Sequence, residues 1–114
     1  MRDCVIRPLL FSLICSALLF AQAPSTVPDL EALARQRLAA RDATGALAAY
    51  RKLAELVPKS AAYQDQIGFL LAATKQSGEA IQHFQRATEL DPKMAQAWFH
   101  LGAALWLAQQ AENR

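Results

Sequence analysis

The stretch that decides the fold is SGEAIQHFQRATELDPKMAQAWFHLG, residues 77–102. Small, aromatic and aliphatic residues recur along it with a helical spacing, which breaks at Asp91-Pro92 and then resumes. Proline has no N–H to donate and cannot continue a helix, so one helix is predicted to end before Pro92 and another to begin after it.

The same break occurs 34 residues earlier, at Val57-Pro58. A fixed period of this length predicts stacked repeats, none of which buries its apolar face alone. The pairs that keep the class of side chain at this offset are Leu56 with Leu90, Pro58 with Pro92, Lys59 with Lys93, Ala46 with Ala80, Leu47 with Ile81, Tyr50 with Phe84, Glu55 with Glu89, Ile67 with Leu101, Gly68 with Gly102, and Leu71 with Leu105.

The composition favours helices. The 114 residues include only four glycines and five prolines, and no segment alternates β-branched residues as a strand would, so the predicted class is all-α. The formal net charge is +2, without a run of Lys or Arg. This argues against a nucleic-acid partner, because phosphate binding needs a clustered basic face.

Residues 1–23 have the order of a secretory signal peptide. Arg2 and Arg7 precede an uncharged run over residues 9–21, and Ala21-Gln22-Ala23 supplies small residues for cleavage. A membrane anchor is the alternative, but a helix of this length rises only about 20 Å, against a hydrocarbon core of about 30 Å. We therefore expect export to the periplasm or the outside of a bacterial cell.

Cleavage is expected after Ala21 or after Ala23, and the sequence does not distinguish the two. Both cysteines of the chain, Cys4 and Cys15, precede these sites. Lipid modification of Cys15 is a weaker alternative, since Ile14 stands where such sites have a small residue. The mature chain is therefore expected to contain no disulfide and no thiolate metal site.

With these positions the chain resembles the tetratricopeptide repeat (TPR), a pair of antiparallel helices. Its pattern is Trp-x2-Leu-Gly-x2-Tyr on the first helix, then Ala-x3-Phe-x2-Ala and a final Pro on the second. Residues 61–94 match it best, with Gln64 alone out of class, whereas 27–60 match mainly in their second helix and 95–114 restart the first helix with Trp98. The matching residues of the central unit are Ile67, Gly68, Leu71, Ala80, Phe84, Ala87 and Pro92.

The resemblance implies an α-solenoid of about two and a half repeats over residues 29–114, after a linker of residues 24–28. Asp29 is the expected N-cap of the first helix. Five helices are predicted, at about 29–41, 44–57, 61–75, 78–90 and 95–111.

Two glycines inside these helices call for a structural reason, because each costs about 1 kcal/mol relative to alanine. We expect Gly68 and Gly102 to lie where two helices cross closely, against small residues such as Ala80. Phe84 and Tyr50 are expected to fill the space between one helix pair and the next.

The last predicted helix has no partner helix in this pattern. It is apolar on more than one face, through residues such as Trp98, Leu105 and Trp106, although the end of a stack usually presents a polar face. Three explanations stay open. The chain is part of a longer protein, or it associates with itself through this helix, or these residues are exposed on a small domain.

In TPR proteins the first helices of each pair line a concave groove that holds an extended peptide or a partner helix. Aromatic side chains in such a groove are the expected anchors, with packing of Phe69 and Phe99 inside the domain as the alternative. Some TPR proteins hold a C-terminal carboxylate in a basic clamp, but only Arg35 and His100 suit that role here. The candidate groove residues are Arg35, Asp65, Phe69, Phe99, His100 and Trp106.

No catalytic motif is recognised. His83 and His100 lie on different predicted helices without a third ligand, and His83 is expected to face solvent. We expect a non-catalytic scaffold that binds a protein or peptide, without cofactor or metal. The alternatives are the non-catalytic leading part of a larger secreted enzyme, or a self-associating protein of the cell envelope.

Overall fold

The computed structural model describes residues 23–114, so the predicted leader, apart from Ala23, lies outside the described residues. No residue of this described part is in a strand. The all-α prediction is confirmed, and each predicted helix boundary lies within two residues of the observed one. The five helices are α1 Val27–Ala39, α2 Ala43–Leu56, α3 Ala61–Ala73, α4 Ser77–Leu90 and α5 Ala95–Glu112.

The helices form a stack in which each packs on its neighbours along the chain. α1 packs on α2 and α3 on α4, giving two complete pairs, and α2–α3 and α4–α5 contacts join these pairs and the last helix. α5 also contacts α3, two helices back. This is the layout of a helical repeat array, in which contacts are made between adjacent units.

The first helix begins earlier than predicted, and its cap is Thr26 rather than Asp29. The Oγ1 atom of Thr26 accepts a hydrogen bond from the N–H of Asp29 at 3.3 Å. Val27 and Pro28 therefore belong to the first turn, where proline is tolerated because its missing N–H would have no partner in the helix. Asp29 follows in that turn, where a carboxylate suits the helix dipole.

The turn between the two helices of each pair contains a residue with left-handed backbone conformation. Arg41 and Lys75 have φ values of 57° and 65°, and they stand 34 residues apart. In the second turn the N–H of Gln76 donates to the carbonyl oxygen of Leu71 at 2.8 Å, and the first turn repeats this bond between the corresponding residues. These are Schellman helix ends. Sequence analysis missed them because glycine, the usual residue at this position, is absent from both.

The core confirms the close crossing predicted at Gly68. A Cβ atom there would lie 2.7 Å from the ring of Phe84 and 3.1 Å from the carbonyl oxygen of Ala80. Phe84 is buried, and its ring centroid lies 5.3 Å from that of His100 in the next unit. Phe84 therefore fills space within its own pair and against the following helix.

At Gly102 the same prediction is wrong. Nothing lies within 4 Å of the position that a Cβ atom would occupy, and the residue is exposed. Gly102 stands on α5, and within the described residues no helix packs on this side of α5. Close packing of two helices therefore explains the glycine at position 68 but not the glycine at position 102.

Candidate functional site

Three aromatic side chains meet where α3 and α5 lie together. The ring of His100 lies 5.6 Å from that of Phe69 and 5.9 Å from that of Phe99, between centroids. Phe69 is 50% exposed and Phe99 is 73% exposed. These two rings are therefore not internal packing residues, and with His100 they form an apolar surface that solvent reaches.

Asp65 lies beneath this surface and does not line it, which corrects its assignment to the groove. Its side chain is buried, and its two carboxylate oxygens are both occupied. The Nδ1 atom of His100 lies 2.8 Å from Oδ1, and Nε2 of Gln96 donates to Oδ2 at 2.9 Å. A buried carboxylate needs such partners, so Asp65 positions α5 residues instead of contacting a ligand.

His100 gains a defined orientation from this contact. With Nδ1 directed at the Asp65 carboxylate, the second ring nitrogen, Nε2, is the one left for a ligand. The side chain is 19% exposed, so the ring is reachable from the solvent side. The site therefore combines an oriented imidazole ring with two neighbouring exposed phenylalanines.

Arg35 and Trp106 are exposed but lie outside this aromatic cluster. Arg35 is on α1, which makes no contact with α5 within the described residues. Trp106 is 61% exposed and follows Phe99 by seven residues, so both project from the same side of α5 about 10 Å apart along the axis. Of the six predicted site residues, the structure thus brings together Phe69, Phe99 and His100 at the surface, with Asp65 buried beneath them.

Sequence analysis missed a polar contact between α1 and α3. The hydroxyl of Tyr63 donates to Oε1 of Glu31 at 2.6 Å. This hydrogen bond to a carboxylate, with burial as a smaller cause, raises the pKa of Tyr63 to about 12. Nothing in the spacing of the sequence indicates that Tyr63 and Glu31 are partners, so only the fold reveals the pair.

The positions that would form a carboxylate clamp are largely engaged within the chain. Glu31 accepts from Tyr63, and Gln96 and His100 both pair with Asp65. Three of the five positions that correspond to such a clamp are therefore committed to internal hydrogen bonds; the five are Glu31, Arg35, Gln66, Gln96 and His100. This arrangement places an acidic residue, Glu31, where a basic clamp would need a donor.

His83 does not simply face solvent, as had been expected. Its Nδ1 atom lies 2.8 Å from Oε1 of Gln64, and its Nε2 atom lies 3.8 Å from Oε1 of Glu79. Partial burial lowers the pKa of His83, and the Glu79 carboxylate opposes that effect. Across residues 23–114, no group of three or more His, Cys, Asp or Glu side chains is placed to hold a metal ion.

Comparison with known protein families finds a match to part of the repeat region. The sequence model described as TPR repeat matches residues 68–109, which include α4 and most of α5. No curated protein matches the chain. In residues 23–114, no helix combines the length and apolar character needed to cross a bilayer.

Two solved structures with a similar fold contain TPR domains of yeast Sti1. The TPR2B-domain:pHsp70 complex is 20% identical, with a TM-score of 0.69, and the match covers 76% of this chain and 70% of that one. The TPR2AB-domain:pHSP90 complex is 19% identical, with a TM-score of 0.70, over 94% of this chain and 42% of that one. The chain thus spans less than half of the second structure, and at these identities the likeness shows the fold.

Proposed function

We propose that this tetratricopeptide-repeat protein is a non-catalytic interaction scaffold, which binds an extended peptide or a partner helix at the surface formed by α3 and α5. The observation that carries the proposal is the pair of exposed rings, Phe69 and Phe99, each of which lies next to the His100 ring. Exposed aromatic side chains are enriched at protein interfaces, so these rings suit the role of anchors.

The buried Asp65 supports this function by holding the site in place. Because its carboxylate binds both His100 and Gln96 of α5, the His100 ring is oriented before a ligand arrives. Its Nε2 atom then offers one hydrogen bond to a peptide backbone or side chain. We infer a ligand with apolar side chains and one matching polar group.

The ligand is an internal segment of its protein, in this proposal, and not a C-terminal carboxylate. Glu31 would repel a carboxylate near α1, and Gln96 and His100 are already engaged by Asp65. The similar structures are complexes of TPR domains of yeast Sti1 with pHsp70 and with pHSP90, which supports a protein or peptide ligand for this chain.

The proposal includes export, to the periplasm or outside the cell, which rests on the order of the residues in the leader. Expression of the full chain in bacteria tests it. We expect a mature protein in the periplasmic or extracellular fraction that begins at Gln22 or Pro24. An uncleaved chain in the cytoplasm would remove this part of the proposal and leave the binding surface untouched.

A peptide-array screen with the folded protein tests the binding surface. We expect Phe99→Ala and Phe69→Ala each to weaken binding of the selected peptides by about tenfold or more, since truncation of an anchor typically costs more than 1 kcal/mol. Leu56→Ala is the matched control, because Leu56 is also half exposed but lies at the end of α2. Equal affinities in all three variants would show that the ligand binds elsewhere.

A further inference from the structure

Beyond this surface, α5 has an exposed side that is covered by a helix in the preceding repeat. α3 and α5 hold the same place in successive units, 34 residues apart. The side of α3 that α4 covers carries Gln64, Gly68 and Leu71. The corresponding residues of α5, which we name the open face, are Trp98, Gly102 and Leu105.

The contacts between α3 and α4 define what the covered side binds. A Cβ atom on Gly68 would lie 2.7 Å from the Phe84 ring, so the ring sits directly over the missing side chain. The Ala80 backbone approaches the same point, at 3.1 Å. Leu71 is fully buried as a result. The covering element is thus a helix with alanine and, four residues later, an aromatic ring.

The open face has the same small-residue gap but nothing in it. Within residues 23–114, no atom lies within 4 Å of a Cβ built on Gly102, and Leu105 is 47% exposed where Leu71 is fully buried. Trp98 is 52% exposed. Residues 95–111 contain no Asp, Glu, Lys or Arg, so any element that covers this face meets an uncharged surface.

We propose that the open face binds an amphipathic helix of another protein, whose apolar stripe has alanine followed four residues later by phenylalanine or tyrosine. Such a helix continues the interface that already joins α3 to α4, with the aromatic ring placed over Gly102. A second copy of the chain does not supply this element from α4, because its Ala80 and Phe84 are buried, at 0% and 2% exposure.

The probe is a synthetic peptide of residues 77–93, the sequence of α4 and its terminal turn, added to the full chain. The chain has only two tryptophans, so Trp106→Phe leaves Trp98 of the open face as the sole fluorescent reporter. We expect a saturable blue shift of its emission. The same peptide with Phe84→Ala is expected to bind about tenfold more weakly or worse, because the ring is the anchor.

A matched pair of glycine variants tests the position. A Cβ meets open space at both Gly102 and Gly78, so a side chain at either position leaves the backbone without a clash at that atom. Circular dichroism checks that both fold. We expect Gly102→Leu to weaken peptide binding by about tenfold or more, whereas Gly78→Leu binds as the parent does.

Three results would overturn the proposal: no saturable shift, equal binding of the Phe84→Ala peptide, or unchanged binding by Gly102→Leu. Light scattering supplies a fourth. A dimer that Gly102→Leu disrupts and the peptide does not dissociate would assign the open face to self-association. None of these results bears on the Phe69 and Phe99 surface, whose test uses other peptides and other variants.

Discussion

Two glycines at the same position of successive repeats have opposite surroundings. Gly68 is buried against Phe84, whereas Gly102 faces open space. Inside a helix both cost conformational entropy. Only at Gly68 is that cost offset by close packing, so the two residues are expected to respond oppositely to the same substitution.

Gly68→Ala is predicted to destabilise the protein by up to about 2 kcal/mol. A methyl group 2.7 Å from the Phe84 ring forces a shift whose cost of about 1–3 kcal/mol exceeds the gain of about 1 kcal/mol in helix propensity. Gly102→Ala is predicted to stabilise by up to about 1 kcal/mol. Urea unfolding followed by circular dichroism measures both, and midpoints that move in the same direction would contradict the prediction.

Lys75 is a second residue whose surroundings decide its effect. Its φ of 65° is unfavourable for an L-residue by about 1–2 kcal/mol, and glycine has no such penalty. Lys75→Gly is therefore predicted to raise the free energy of unfolding by about 0.5–1 kcal/mol, after the greater entropy of unfolded glycine is subtracted. Lys93→Gly is the control, because Lys93 does not have positive φ, and no gain is expected there.

At the scale of the elements, the Tyr63–Glu31 hydrogen bond connects two helices that have little other contact. The pKa of Tyr63 in the folded protein, about 12, is above the ordinary value of 10. The stability that this contact contributes is therefore present in full below pH 10 and is lost as the pH rises through 12. The bond holds the first pair of helices against the second.

Absorbance at 295 nm during an alkaline titration checks this prediction. We expect the higher of the two tyrosine transitions near pH 12, and Glu31→Ala is predicted to move it towards 10, because the hydrogen bond is the largest cause of the shift. Tyr63→Phe is the control, since it removes that transition and leaves the one from Tyr50. A Tyr63 transition at pH 10 in the parent protein would show that the bond is not formed in solution.

At the scale of the whole molecule, a stack in which each repeat contacts only the adjacent repeats is least stable at its ends. α3 is packed by α2, α4 and α5, whereas α5 is packed on one side only. Amide hydrogen exchange is therefore predicted to be faster over residues 105–112 than over α3. Mass spectrometry of peptic fragments measures this difference, and equal protection of the two segments would contradict it.

The helices and their order could be predicted from the sequence because they depend on local features. Pro58 and Pro92 prevent α2 and α4 from continuing, whatever packs around them. The 34-residue period reflects packing contacts that recur in each unit. The start of α1 was less predictable. Thr26 and Asp29 are both good caps, and the choice depends on which N–H groups the chain leaves without partners.

The candidate site could be predicted only in part. Phe69, Phe99 and His100 were placed on one surface because the repeat register puts them on first helices. The burial of Asp65 was not predictable, because an aspartate is expected to be exposed unless it has buried partners. Its partners here are 31 and 35 residues away in the chain. Contacts at such separations leave no periodic trace in the sequence.

By itself the sequence determined that the chain forms paired helices, and that the second helix of each pair ends before a proline, because helix propensity, prolines and the repeat period act over short distances. Only the tertiary structure decided which equivalent residues are covered. Gly68 and Gly102, or Leu71 and Leu105, are alike in the sequence, and they differ because burial depends on whether another helix lies opposite. That physical condition is a property of the packed stack and not of any residue within it.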